Sequence, residues 1–122
     1  MVLDKIGIGV DIEEISRFEK YDAESDFAKK VYTKHEIEYC FKNKQSAKHL
    51  AVRFCAKEAV YKALSSLGLS GISFQDCEVI NLESGAPEVV FLSEKLKKVR
   101  AKISLSHSKT TAVAQVIAEI VD

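Results

Sequence analysis

Leu50-Ala51-Val52-Arg53-Phe54-Cys55-Ala56-Lys57-Glu58-Ala59-Val60-Tyr61-Lys62-Ala63-Leu64 is apolar around nearly its whole circumference when wound as a helix. A helix of that kind is buried. Ser46 predicts its cap in front and Gly68 its stop behind Leu67, so one long helix runs through the middle of the chain. Yet it carries Arg53, Lys57, Glu58 and Lys62. Charges in a buried helix must be paired, bind a metal or face a site. Glu58 and Lys62 are four apart and share a face, and Arg53 and Lys57 repeat that spacing beside them. Two readings stay open at this point. One is an intrahelical Glu58–Lys62 ion pair, which contributes little. The other is a carboxylate that holds a metal, with cations ready for phosphate oxygens.

Upstream of the helix, Ile6-Gly7-Ile8-Gly9-Val10-Asp11 alternates and predicts a short strand. Ile6, Ile8 and Val10 point one way; Gly7, Gly9 and Asp11 point the other. Glycines weaken a strand, and their usual justification is close approach of another backbone or a ligand. Ile12, Ile15, Phe18 and Tyr21 then recur with helical spacing. Thr33 and Glu36 form a capping box that opens a helix carrying Ile37, Tyr39, Cys40 and Phe41. Downstream, Glu78–Leu82 and Glu88–Leu92 predict a hairpin turned by Ser84-Gly85-Ala86-Pro87. Ser93 caps a predicted short helix, Glu94 to Arg100. Lys102–Ser106 and Thr111–Ala118 are the last two predicted strands, turned near Lys109-Thr110. This order predicts a single α+β domain over residues 1–122, a mainly antiparallel sheet packed on the long buried helix.

The chain has 122 residues, enough for one core but too few to enclose a large cofactor in a deep cleft. A site for a large substrate therefore falls on the surface or between subunits. No apolar run is long enough to span a bilayer, and the first residues do not read as a signal peptide. Cys40, Cys55 and Cys77 are an odd, widely spaced set, read as reduced thiols of a cytoplasmic protein. Lys and Arg number 18, as do Asp and Glu, for a net charge of zero, and no nucleic-acid or membrane partner is expected. The charges are segregated, however: acidic through Asp26, basic from Lys29 to Lys62. Segregation of this sort suggests a local anion site, although on charge alone a solvated lysine face is the simpler reading.

Asp11 alters the reading of the long helix. A carboxylate closing a glycine-lined strand and another on a buried helix could share a magnesium ion, which commonly takes one or two carboxylates plus substrate phosphates and water. There is no GxxxxGK[ST] loop and no Gly-x-Ser-x-Gly elbow, and His35, His49 and His107 are too scattered for a zinc site. His107, between Ser106 and Ser108 at a strand end, is a weak candidate for a phosphate-binding corner.

Gly7-Ile8-Gly9-Val10-Asp11-Ile12 followed by Glu14 resembles the first motif of the small 4′-phosphopantetheinyl transferases, the holo-acyl-carrier-protein synthases. Arg53-Phe54-Cys55-Ala56-Lys57-Glu58-Ala59-Val60-Tyr61-Lys62-Ala63 resembles their second motif. Ser104-Leu105-Ser106-His107-Ser108 with Ala112–Val116 resembles their C-terminal signature, and Gly85-Ala86-Pro87 stands where they carry a Gly-x-Pro hairpin. The likeness runs from Ile6 to Val116 in order.

The resemblance implies transfer of 4′-phosphopantetheine from coenzyme A to a serine of apo-acyl carrier protein, for fatty acid biosynthesis, with release of 3′,5′-ADP. It implies that Asp11 and Glu58 ligate Mg2+ and that Lys62 neutralises or protonates the leaving phosphate. Lys44, Arg53, Lys62 and His107 would hold coenzyme A phosphates, with Gly85 and Pro87 near the adenine. It also implies a homotrimer with sites between subunits, for which the long apolar helix and the bare Gly7–Gly9 face supply a further reason. Arg17 is the expected anchor for an acidic carrier, amid Glu13, Glu14, Glu19 and Asp22; Lys29 and Lys30 are the alternative surface. Glu13 makes an Asp-x-Glu pair with Asp11; as the next helix starts there, its expected role is to favour that helix N-terminus rather than to join the metal site. A magnesium-dependent pyrophosphate hydrolase and a trimeric binding module with a degenerate site are the competing functions.

Overall fold

A computed structural model describes residues 2–122. Its elements, in chain order, are β1 (Ile6–Glu14), α1 (Asp26–Val31), α2 (Lys34–Phe41), α3 (Ser46–Ser66), β2 (Cys77–Asn81), β3 (Pro87–Phe91), β4 (Val99–His107) and β5 (Thr111–Ile120), joined by short 3-10 turns. β1, β5 and β4 form an antiparallel three-stranded sheet in that order, and β2 and β3 form the expected hairpin. The architecture is α+β, with α3 laid across the three-stranded sheet.

The two glycines of β1 decide how closely the layers meet. A Cβ on Gly7 would collide with the Ala63 carbonyl oxygen, and one on Gly9 with that of Ala59. Their bareness admits the helix backbone directly onto the strand. The far side of β1 is the uncovered one: Ile8, Val10 and Ile12 are 65%, 58% and 66% exposed, and Val113 and Ile117 of β5 join them. The expectation that the glycine face lacks cover is therefore corrected; α3 supplies it, and the apolar surface left open belongs to the isoleucines and valines.

Several boundaries differ from the sequence reading. β1 continues past Asp11 because its ladder with β5 runs on through Glu13↔Ala112 and Glu14↔Thr111. The helix expected from Ile12 shrinks to a 3-10 turn, Ile15–Phe18, whose two buried side chains lie three apart and so meet the core in one such turn. Glu13 consequently sits in a strand, not at a helix start. The helix α1 was not foreseen. Ser46 lies inside the first turn of α3, and Gln45 takes the cap position without a side-chain hydrogen bond. The predicted helix from Glu94 stops at Leu96, since Val99 and Arg100 are drawn into β4 by pairing with Ile120 and Glu119. The α2 capping box is present as expected. So is the stop of α3: Gly68 follows at φ +82°.

Candidate active site

Packing α3 onto β1 brings three carboxylates together. Asp11 and Glu13 are two apart on β1 and face the same side, towards Glu58 on α3. Asp11 is nine-tenths buried, and its Oδ2 has no hydrogen-bond partner. Burial raises the Glu58 carboxyl above its ordinary range, and the charge of Asp11 raises it further, against the pull of Lys62 and Arg17. Glu13 is pushed up to about 7, first by burial and then by the adjoining Asp11 carboxylate, with Arg17 opposing and Glu58 adding. Burial and the Asp11 charge acting together on Glu13 and Glu58 mark a centre crowded with negative charge. Two cations sit at the edges. Lys62 Nζ donates to Val10 O at 2.9 Å and to Asp11 Oδ1 at 3.2 Å. Arg17 donates to Glu13 Oε1 at 2.7 Å, and its guanidinium lies over the Phe18 and Phe54 rings. No Glu58–Lys62 ion pair forms; Lys62 reaches across to the strand instead.

Lys57, one position before Glu58, has a different fate. It is fully buried, 2.9 Å from Glu36, and donates to the carbonyls of Phe74 and Cys77. It is a fastening between α3, α2 and the start of β2, and is not available to a phosphate.

Arg53 is 4% exposed, and its partners are neutral. Nη2 donates to Asn81 Oδ1 at 2.6 Å, the guanidinium lies 4.0 Å from the Tyr39 ring centroid, and Nε has no partner. A buried cation answered by an amide and a ring face still lacks an anion. Asn81 in turn donates to Gly85 O, so the turn carrying Gly85 and Pro87 is tied to Arg53. Tyr39 and Asn81 were missed in the sequence, since only the fold brings α2, α3 and β2 together.

His107, at the exposed end of β4, lines a 560 Å³ cleft with Lys48, Lys109, Ser108 and Gln45. Burial and the charges of Lys48, Arg53 and His107 lower the nearby His49 imidazole. This cleft lies at the N-terminus of α3, whose first turn has no acidic residue, while Lys44 stands exposed in the connection just before it. Cations at a helix N-terminus oppose the macrodipole, and a bound anion would relieve both. Among the described residues, no three His, Cys, Asp or Glu side chains make a metal cage by themselves. Asp11 and Glu58 with an orphaned oxygen suit a hard cation that completes its shell from substrate oxygens and water.

Residues 7–117 match the 4′-phosphopantetheinyl transferase superfamily. A holo-[acyl-carrier-protein] synthase of Geobacter sp. (strain M21) is 42% identical over 93% of this chain and 97% of its own. A crystal structure of a holo-(acyl-carrier-protein) synthase from Bacillus anthracis str. Ames in complex with CoA (3′,5′-ADP) superposes with a TM-score of 0.77 at 34% identity, covering 95% of this chain and 98% of that one. That of the Helicobacter pylori synthase in complex with coenzyme A gives 0.74 at 32%, covering 89% and 96%.

Proposed function

The chain belongs to the 4′-phosphopantetheinyl transferase superfamily, and on that premise we propose that it moves 4′-phosphopantetheine from coenzyme A to a serine of apo-acyl carrier protein, releasing 3′,5′-ADP. The observation that carries this reading is the pairing of an electron-rich centre with a cationic one along α3. Asp11 and Glu58 would hold Mg2+, with Glu13 beside them. When bound, the ion supplies charge neutralisation at the pyrophosphate under attack.

The remaining roles belong to side chains. Lys62 sits against Asp11 and can swing its ammonium to the departing phosphate, neutralising or protonating it. Arg53 offers its unpartnered Nε, and Lys44 and His107 their exposed tips, to the nucleotide phosphates. Gly85 and Pro87 form the edge against the adenine. Arg17, half exposed at the rim of the carboxylates, docks the acidic carrier.

Residues 1–122 act as one domain, and the working unit is a homotrimer. The open Ile8, Val10, Ile12, Val113 and Ile117 face is the surface that self-association would cover. Light scattering should give a trimer; a fully active monomer would contradict it. The cytoplasm is its compartment, consistent with three free, buried thiols that burial pushes up to about 11 or 12. The activity test is the mass of an apo-carrier protein after incubation with coenzyme A and Mg2+. A gain of one phosphopantetheine supports transfer. Coenzyme A cleavage without a mass gain would mean a hydrolase, and no change a binding module.

A further inference from the structure

Asn81 closes β2, and the pairing register sets it opposite Pro87. Proline has no N–H to give at this pair, and the turn is closed just beyond it by Leu82 N–H to Ala86 O at 2.9 Å and Gly85 N–H to Leu82 O at 2.8 Å. The Asn81 side chain adds a further tie, with Nδ2 donating to Gly85 O at 3.2 Å. The same amide turns its oxygen to Arg53 Nη2 at 2.6 Å. One exposed side chain thus uses its donor on the turn and its acceptor on the buried Arg53. The ring of Tyr39 holds the guanidinium 4.0 Å from its centroid. Between the ring and the amide, Arg53 keeps one orientation, with Nε left over.

We propose that Asn81 is a positioning residue that couples Arg53 to the Gly85–Pro87 turn, so that the phosphate and base contacts of coenzyme A form as one unit. The role rests on the proposed function, through the parts given to Arg53 and the turn. Asn81 touches neither the reacting atoms nor the carboxylates; it acts through Arg53. Freed from Asn81, Arg53 would lose its aim and its link to the turn, and coenzyme A would have to set the two against each other on binding.

The test is steady-state transfer with each substrate varied in turn, in wild type, Asn81→Ala, Asn81→Asp, Arg53→Gln and the Asn81→Ala/Arg53→Gln double variant. Asn81→Ala should raise KM for coenzyme A about tenfold, the size of one lost hydrogen bond to a charged group. KM for the carrier should stay at its wild-type value, and the melting temperature should fall by only a few degrees, since both bonds already exist in the free protein. Asn81→Asp loses the donor to Gly85 and gives Arg53 the anion it lacks, in competition with the phosphate, so its KM for coenzyme A should rise at least as far as that of Asn81→Ala. If the two residues act as a unit, Asn81→Ala should add little on top of Arg53→Gln. Independent, multiplying effects, an unchanged KM for coenzyme A, or an equal rise for both substrates would overturn the role while leaving the transfer reaction in place. A wild-type protein that transfers nothing would overturn the proposed function itself, and the role with it.

Discussion

Lys57 and Glu58 are consecutive residues of α3, yet one is fully answered and the other is not. Lys57 spends three donors on Phe74 O, Cys77 O and Glu36, and Glu36 also accepts from the backbone of Thr33 and Val79. Both side chains are fully buried. Glu58 faces Asp11 and Glu13, two more carboxylates, with an orphaned oxygen among them. The helix turns by about 100° per residue, so neighbours look into different partners. Toward α2 and β2 the chain supplies complementary charge and carbonyls; toward β1 it supplies like charge. A satisfied ion pair serves the fold, and a crowded carboxylate cluster is the feature from which the proposed metal site is argued.

Glu58→Gln is the sharpest way to break this contrast. It keeps shape and removes a charge that burial and Asp11 oppose, so turnover should fall by about 100-fold or more with the protein no less stable than wild type. Near-normal turnover would give Glu58 a structural role like that of Lys57. Lys57→Met should do the reverse. It leaves Glu36 buried and unpaired, which costs about 3–5 kcal/mol, and denaturant unfolding should register the loss before activity does.

Smaller effects lie at the rim. Arg17→Ala should raise KM for the carrier several-fold and leave that for coenzyme A unchanged; equal effects on both would confine Arg17 to its pair with Glu13. Charge reversal at Lys29 and Lys30 is the control surface. Least of all, Glu13→Gln should stabilise the metal-free protein by a few degrees at pH 8. The folded carboxyl lies near 7, above its ordinary 4.5. Glu13 therefore costs nothing below about pH 4.5, and its cost grows as pH rises toward 7. Melting curves at pH 4.5 and pH 8 should separate the variant from wild type only at the higher value.

The Gly7–Gly9 strand, the capping box, the long helix and the hairpin were legible because each has a local cause: bare Cα atoms, a reciprocal cap, a continuous apolar surface, a turn sequence. Asp11, Glu58 and Lys62 came with them, since strand and helix periodicity point them at each other once α3 covers the glycines. What stayed hidden depends on pairing across the chain. Whether Ile12 continues a strand or starts a helix is settled by β5, about a hundred residues later, and with it the place of Glu13. Lys57 and Arg53 look alike in sequence; the carbonyls at the start of β2 claim one, and the Asn81 amide at its end holds the other.

On the proposed function, Asp11 and Glu58 are the side chains that hold the metal needed for transfer. Calorimetric titration of Mg2+ into the protein with coenzyme A present tests it directly, in wild type and in Asp11→Asn. Wild type should bind one ion per chain, and Asp11→Asn should lose that binding while still unfolding cooperatively. An Asp11→Asn protein that binds Mg2+ as tightly as wild type would contradict it.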